Sequence, residues 1–380
     1  MRFVALDSWR GICALLVVLF HFNDALSTSL GASLFIRNAY LFVDFFFVLS
    51  GFVLCHGYRD TISGKLDFGT FVVRRFARVW PVHAVVLGVL VTFIAIVSHM
   101  PHPADLSLTW RHDSYSIAAV LPSLALLNAF GFVGSVWNGP AWSIGAEFYV
   151  YLLFALTLIL FSRRLVVACV VLSAAALAVI FWCAPDFMNS TWDYGAIRCV
   201  AGFFAGVVAY HCYERCRPRE PVGATIVEVT AAMGGFVFVI YAGAGPNSVA
   251  ATSLAAPFVF GAIVVIFACE NGLLSLALRA RPFKALGRYS FSIYLVHQPL
   301  LIMFCYLAWL AGYHSDAFAA RGGQSIQSPD LILADFVLAV VLIAAGVYRF
   351  VEVPARKYLN RFADESSGWA RAPRSMQAPA

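Results

Sequence analysis

The residues of this chain best suited to chemistry are few, and they lie in apolar surroundings. Arg10 and His21 flank a run of Gly, Ile, Cys, Ala, Leu, Val and Phe, and they are eleven positions apart. On an α-helix that separation is three turns plus about 20°, so both side chains share one face, about 16 Å apart along the axis. Asp44 stands in Val43-Asp44-Phe-Phe-Phe-Val-Leu-Ser50-Gly51-Phe52, and Glu147 in Trp142-Ser143-Ile-Gly-Ala-Glu147. Counted down from the outer ends of their segments, His21, Asp44 and Glu147 fall about 10, 6 and 9 Å deep by the helical rise. Three titratable groups on three segments thus share a depth band. Groups of this kind inside an apolar span are costly and usually functional. Each alone has a structural alternative, for His21 a histidine satisfied by a neighbouring helix and for Asp44 a hydrogen-bonded acid at a helix N-terminus favoured by the dipole.

Two further clusters carry charge or a second histidine. Arg74-Arg75-Phe-Ala-Arg78-Val-Trp-Pro81 places Arg75 and Arg78 on one helical face at i,i+3. Three arginines so close, on the same side as Arg10, suit a phosphate group; ordinary anchoring at a membrane surface is the alternative. Arg288-Tyr-Ser290-Phe-Ser-Ile-Tyr294-Leu-Val-His297-Gln-Pro299 carries an intramembrane histidine, and Pro299 removes a backbone donor and so frees the carbonyl of Leu295. A packing histidine or a partner of the proline kink is the alternative for His297. Ser143 and Tyr294 stand in these motifs as further candidates. Arg349-Phe-Val-Glu352-Val-Pro354-Ala-Arg356 reads as a surface salt bridge and anchor.

The elements that must position these residues are membrane helices. Of 380 residues, 61% are hydrophobic and 12% charged, more apolar surface than a soluble domain of this length can bury. The expected fold is all-α and polytopic. Ten segments read as spans: 9–28, 39–56, 80–99, 141–161, 165–183, 197–213, 223–243, 249–268, 289–310 and 331–350. With both termini inside, all but Arg37, Arg111, Arg198 and Arg321 of the 26 Lys+Arg fall on or near the cytoplasmic side. The positive-inside rule therefore predicts an N-in, C-in protein. Segment 115–133 is apolar enough to span, but a span there would invert every later loop, so it reads as a periplasmic or re-entrant helical hairpin. Residues 1–360 form one transmembrane domain, and 361–380 read as a disordered cytoplasmic tail. No cleavable leader is expected, because the first apolar run holds a histidine and lacks a following cleavage site. The cysteines read as reduced packing residues, Cys212 and Cys216 lack a usual zinc spacing, and His99, His102 and His112 read as part of a solvated loop, with metal binding as the alternative. The net charge of +6 is spread over helix ends, and nucleic acid is not an expected partner; the lipid bilayer is.

The motifs Leu6–Phe22, Val43–Phe52, Arg75–Pro81, Trp142–Tyr149, Leu286–Pro299 and Glu352–Arg356, in this order, resemble those of the acyltransferase 3 family of integral membrane acyltransferases. The resemblance covers nearly the whole chain; the set is specific and no single member is. It implies acylation of sugars in surface polysaccharides, O-antigen, peptidoglycan and Nod factors, and of some small secondary metabolites. Arg10 and His21 match the family's arginine-to-histidine signature, with His21 catalytic. Arg75 and Arg78 match its arginine pair, associated with the acyl-CoA donor. Asp44, Glu147 and His297 fall on motif positions of less settled role. Trp9 and Ile144 depart from the usual residues and touch no reacting group.

Residues and resemblance together predict an O-acyltransferase of the bacterial inner membrane. It would carry an acyl group, acetyl expected first, from cytosolic acyl-CoA to a hydroxyl of an extracytoplasmic carbohydrate such as exopolysaccharide or O-antigen. Arg10, Arg75 and Arg78 would bind the CoA phosphates, His21 would act as general base, and Asp44 or Glu147 would orient its imidazole. An acyl-enzyme on His21 is the other chemical route. No resident cofactor and no metal are expected, acyl-CoA being a co-substrate; proteins of polysaccharide biosynthesis are further partners. A proton-coupled transporter or exporter is the runner-up, since intramembrane histidines and acids serve it equally, and a structural scaffold of an export complex is a third reading.

Overall fold

The computed structural model describes residues 3–26, 28–59, 68–100, 115–131, 137–216, 220–245, 248–314, 324–325 and 329–367. Nine stretches among them are long and apolar enough to cross a membrane, and one, Ala141–Cys183, holds two helices joined at the turn Ser162–Arg164. In hydrocarbon only a helix satisfies its own backbone, so each apolar run closes as one. The long helices are α1 (Val4–Leu26), α2 (Phe42–Tyr58), α3 (Phe68–Val97), α4 (Ala141–Phe161), α5 (Leu165–Cys183), α6 (Gly195–Tyr213), α7 (Pro221–Tyr241), α8 (Ala256–Ala268), α9 (Arg281–Leu310) and α10 (Pro329–Val347). A widened π-type turn, Tyr348–Glu352, leads from α10 into α11 (Val353–Ser367). The chain is thus an all-α, multi-pass membrane protein.

Four expectations change. Helix α3 begins at Phe68 rather than near residue 80, and α9 at Arg281 rather than 289. Both extend past the apolar run as amphipathic turns, so Arg74, Arg75 and Arg78 are helical. Of 115–133, residues 132 and 133 lie outside the described residues; the rest forms a single short helix, Val120–Leu124, with turns, not a helical hairpin. It is seated in the bundle: Trp80 Nε1 donates to the Leu124 carbonyl at 2.9 Å, His83 Nε2 bonds the Ser123 carbonyl at 2.8 Å and Tyr149 donates to the Ala125 carbonyl at 2.9 Å. Residues 361–367 continue α11 as helix rather than starting a disordered tail, because α11 packs against α3; residues 368–380 lie outside the described residues, as do His102 and His112. Finally, Glu352 is buried at 1% exposure, not at the surface.

Two helix crossings fix the geometry of the site. Helices α1 and α9 touch at Gly11 and Gly287, where a Cβ on Gly11 would lie 2.5 Å from the Gly287 nitrogen and one on Gly287 would strike the Asp7 carbonyl. Helices α2 and α6 meet as closely, Gly51 against the Phe203 carbonyl and Gly206 against that of Val48. Small residues at such crossings let the backbones approach and pack. Because contacts along each pair rise together in number, both pairs run parallel.

Candidate active site

The α1–α9 seam carries Arg10 and His21 on one face, and α9 supplies partners to both. Arg10 Nε donates to Ser290 Oγ at 2.9 Å and Nη2 to the Gly287 carbonyl at 3.4 Å. Three turns further, His21 Nδ1 lies 3.0 Å from the Val17 carbonyl and 3.2 Å from His297 Nε2. His297 Nδ1 lies 3.3 Å from the Ile293 carbonyl. A carbonyl only accepts, so both Nδ1 atoms carry the proton. His297 Nε2 then accepts from His21 Nδ1–H, and His21 Nε2 is left as the basic nitrogen.

A cavity of about 580 Å³ runs from one end of the bundle to its middle. Six arginines line it, Arg10, Arg74, Arg75, Arg78, Arg288 and Arg356, against the carboxylates Asp7 and Glu147. The excess of positive charge favours an anionic ligand. Arg78 is held by Glu352 at 2.5 Å, and Glu352 in turn accepts from Ser292 at 2.9 Å. Arg75 donates to Tyr58 Oη at 3.1 Å with its guanidinium over that ring. At the inner end Glu147 accepts from Ser50 and, at 2.5 Å, from Tyr151.

A second cavity, about 210 Å³, approaches from the other end and contains His21, Phe20, Tyr40, Trp142, Trp192 and Arg198. Val43 and Tyr294 line both cavities and so form the partition between them. Tyr294 Oη is 2.8 Å from Ser143 Oγ, which donates to the Pro140 carbonyl at 3.0 Å, so the partition is pinned to the start of α4. Asn138 Nδ2 donates at 3.0 Å to the Leu295 carbonyl that Pro299 frees, which ties the same loop to α9.

Asp44 does not face His21. Both its oxygens are taken by Arg198, Nε to Oδ1 at 2.9 Å and Nη2 to Oδ2 at 2.7 Å, with the pair buried at 0% and 1% exposure. Arg198 also donates to the Ser190 and Tyr40 carbonyls. It lies one turn into α6, inside the bundle. Glu147 lies in the larger cavity, away from the imidazole. The carboxylate orienter expected for His21 is therefore absent among these contacts, and His297 occupies that position. Sequence reasoning passed over Arg198, although one arginine a turn inside an apolar helix, at the depth of Asp44, is a usable signal. Ser50 and Tyr151 were also missed; Tyr151 at i+4 from Glu147 was visible in the spacing.

A family profile described as an acyltransferase domain matches residues 3–348. Protein 2 in the picA locus of Rhizobium radiobacter is 34% identical over 166 residues, covering 40% of this chain and 81% of that one. Acyltransferase MdmB of Streptomyces mycarofaciens is 28% identical over 337 residues, 84% of this chain and 81% of its own. Peptidoglycan O-acetyltransferase OatA of Listeria monocytogenes is 21% identical over 393 aligned positions, 94% of this chain and 57% of that protein. No solved structure matches.

Proposed function

Because the chain belongs to the acyltransferase 3 family, we propose that this multi-pass membrane acyltransferase moves an acetyl group from cytosolic acyl-CoA to a hydroxyl of an extracytoplasmic carbohydrate. The observation that carries this reading is the pair of cavities entering from opposite ends and sharing Val43 and Tyr294. A donor and an acceptor from different compartments need such an arrangement. The arginine-lined cavity suits the phosphates of CoA, with Arg10, Arg75 and Arg78 as ligands joined by Arg288 and Arg356. The positive-inside bias supports a cytoplasmic place for this end and for both termini, in a bacterial inner membrane. The name of OatA supports acetyl as the group and a glycan as the acceptor.

In this mechanism the acceptor oxygen attacks the thioester carbonyl carbon while His21 Nε2 takes the hydroxyl proton. The C–S bond breaks, and the imidazolium returns the proton to the CoA thiolate, leaving free CoA and neutral His21. His297 is the positioning residue: its Nε2 holds the His21 Nδ1–H and strengthens that bond as charge develops on the imidazole. Asp44 acts through Arg198, as a wall of the acceptor cavity, rather than on the imidazole. Glu147, at the inner end of the donor cavity, is placed to bond a polar group of the pantetheine arm. CoA is a co-substrate here, and the mechanism uses no resident cofactor or metal.

The test measures transfer of labelled acetyl groups from acetyl-CoA to glycan in membranes, beside protein level. His21→Gln keeps approximate size and should accumulate near wild-type levels while transfer falls by ~10²-fold or more, as expected for a lost general base. Substantial transfer in His21→Gln would make His21 structural and the mechanism wrong.

A further inference from the structure

The exposed side chains of α10, the widened turn and α11 recur at helical spacing and form one stripe. Along α10 the stripe carries Leu331, Leu338, Leu342 and Ile343, with Asp335 near its start. From Arg349 its character changes. Arg349, Phe350, Lys357, Tyr358, Arg361 and Phe362 are all exposed, the three aromatics at 75%, 62% and 52%. The Tyr358 and Phe362 rings touch edge to face, 4.9 Å between centroids, and no acid stands between Val353 and Phe362. Leu331 and Arg349 are eighteen positions apart, about 27 Å of helix against ~30 Å of hydrocarbon in a bilayer. The change therefore falls where a span that starts at Leu331 leaves the lipid tails.

Beyond the tails lie the headgroups. Aromatic side chains concentrate at that level, and cations set among them attract anionic lipid. The stripe is continuous with the lipid-facing side of α10, so the membrane surface meets it before any soluble partner does. The other side of α11 belongs to the larger cavity. Arg356 and Asn360 line that cavity, as does Tyr348 of the turn, and Glu352, one turn before Arg356, holds Arg78. One short helix thus presents cations and aromatics outward and lines the arginine-rich cavity inward.

We propose that α11 is a membrane-surface helix that binds anionic phospholipid headgroups through Lys357 and Arg361, flanked by Tyr358 and Phe362, and that this docking seats Arg356 at the larger cavity and strengthens its hold on acyl-CoA. The coupling rests on the donor reading above; the docking does not. The test uses the full chain in nanodiscs of phosphatidylcholine, alone or mixed with phosphatidylglycerol. The photo-crosslinker p-benzoylphenylalanine in place of Tyr358 reads the docking directly. In mixed discs it should capture phosphatidylglycerol at least ~5-fold above its share of the lipid, the worth of one cation at an anionic surface. Lys357→Gln with Arg361→Gln should return capture to that share. Binding of labelled acetyl-CoA without acceptor reads the coupling. An anionic disc repels acetyl-CoA from every variant alike, so the comparison is between proteins in the same lipid. Against wild type, the double variant should bind acetyl-CoA ~5-fold more weakly in mixed discs and within about twofold in phosphatidylcholine alone. Capture at the bulk share by the otherwise wild-type chain overturns the docking. Preferential capture with equal acetyl-CoA affinities, or an equal loss in both lipids, overturns the coupling. A wild-type protein that binds acetyl-CoA in neither disc overturns the donor reading, while the cross-linking still decides the docking.

Discussion

His21 lines the smaller cavity and has Nδ1 engaged by Val17 and His297, which leaves Nε2 as the nitrogen for a proton, the asymmetry a general base needs. The pair predicts a pattern that separates positioning from packing. His297→Phe removes one of the two acceptors of His21 Nδ1–H and leaves the Val17 carbonyl, so kcat should fall about 10-fold, the worth of one hydrogen bond to a developing cation, while acceptor KM stays near wild type. His297→Gln restores an acceptor at a similar reach and should recover part of that loss. The double variant His21→Gln with His297→Phe should be little worse than His21→Gln alone, because groups that act as a unit are non-additive. A steady-state comparison of the four proteins checks this; additive losses would mean that the two histidines act separately. The arginines need a different account. Arg78 is paired with buried Glu352, so a phosphate reaching it would share an existing ion pair, whereas the bidentate fork of a guanidinium can serve both.

At the scale of elements, the apolar runs made all ten helices legible, because length and composition alone decide whether a segment spans. The shared face of Arg10 and His21 was legible too, since it depends on spacing within one helix. The partners were not. Asp44 with Arg198 and His21 with His297 are set by the rotation of one helix about another, which no single-helix periodicity encodes. The close crossings at Gly11–Gly287 and Gly51–Gly206 set those rotations, but a glycine in an apolar run does not announce its counterpart. Where amphipathic turns extend α3 and α9, the apolar window ended before the helix did. The α2–α6 crossing makes its own prediction. Arg198→Met leaves the Asp44 carboxylate buried without its partner, which should cost about 3–5 kcal/mol. Asp44→Leu combined with Arg198→Met removes both charges and should recover much of that loss, less the share due to the Ser190 and Tyr40 carbonyls that lose their donor. Thermal unfolding in detergent, followed by size exclusion, compares them; an Arg198→Met protein as stable as the double variant would remove the ion pair from the account of how α2 and α6 are held.

On the scale of the whole molecule, the two cavities divide the bundle into a basic half and an aromatic half with Tyr294 between them. A polar donor such as the proposed acyl-CoA does not cross lipid, so a donor cavity open to one side would make the reaction directional. Protein reconstituted in vesicles, with acetyl-CoA sealed out by the bilayer, should transfer only when the donor is on the side of Arg75 and Arg356 and the acceptor on the side of Trp192. Orientation is read independently by attaching a label near Arg361 and testing its access to an impermeant reagent. The partition itself adds a second expectation. Tyr294 closes against Ser143 across 2.8 Å, and Tyr294→Ala would join the cavities into one path. Water would then reach the thioester, so acetyl-CoA hydrolysis without acceptor should rise while transfer to glycan falls. Transfer with both substrates on the aromatic side would contradict the division of the bundle into donor and acceptor halves. Unchanged coupling in Tyr294→Ala would show that Tyr294 is a passive wall, and that the donor and acceptor meet by some route other than the one at which the two cavities touch.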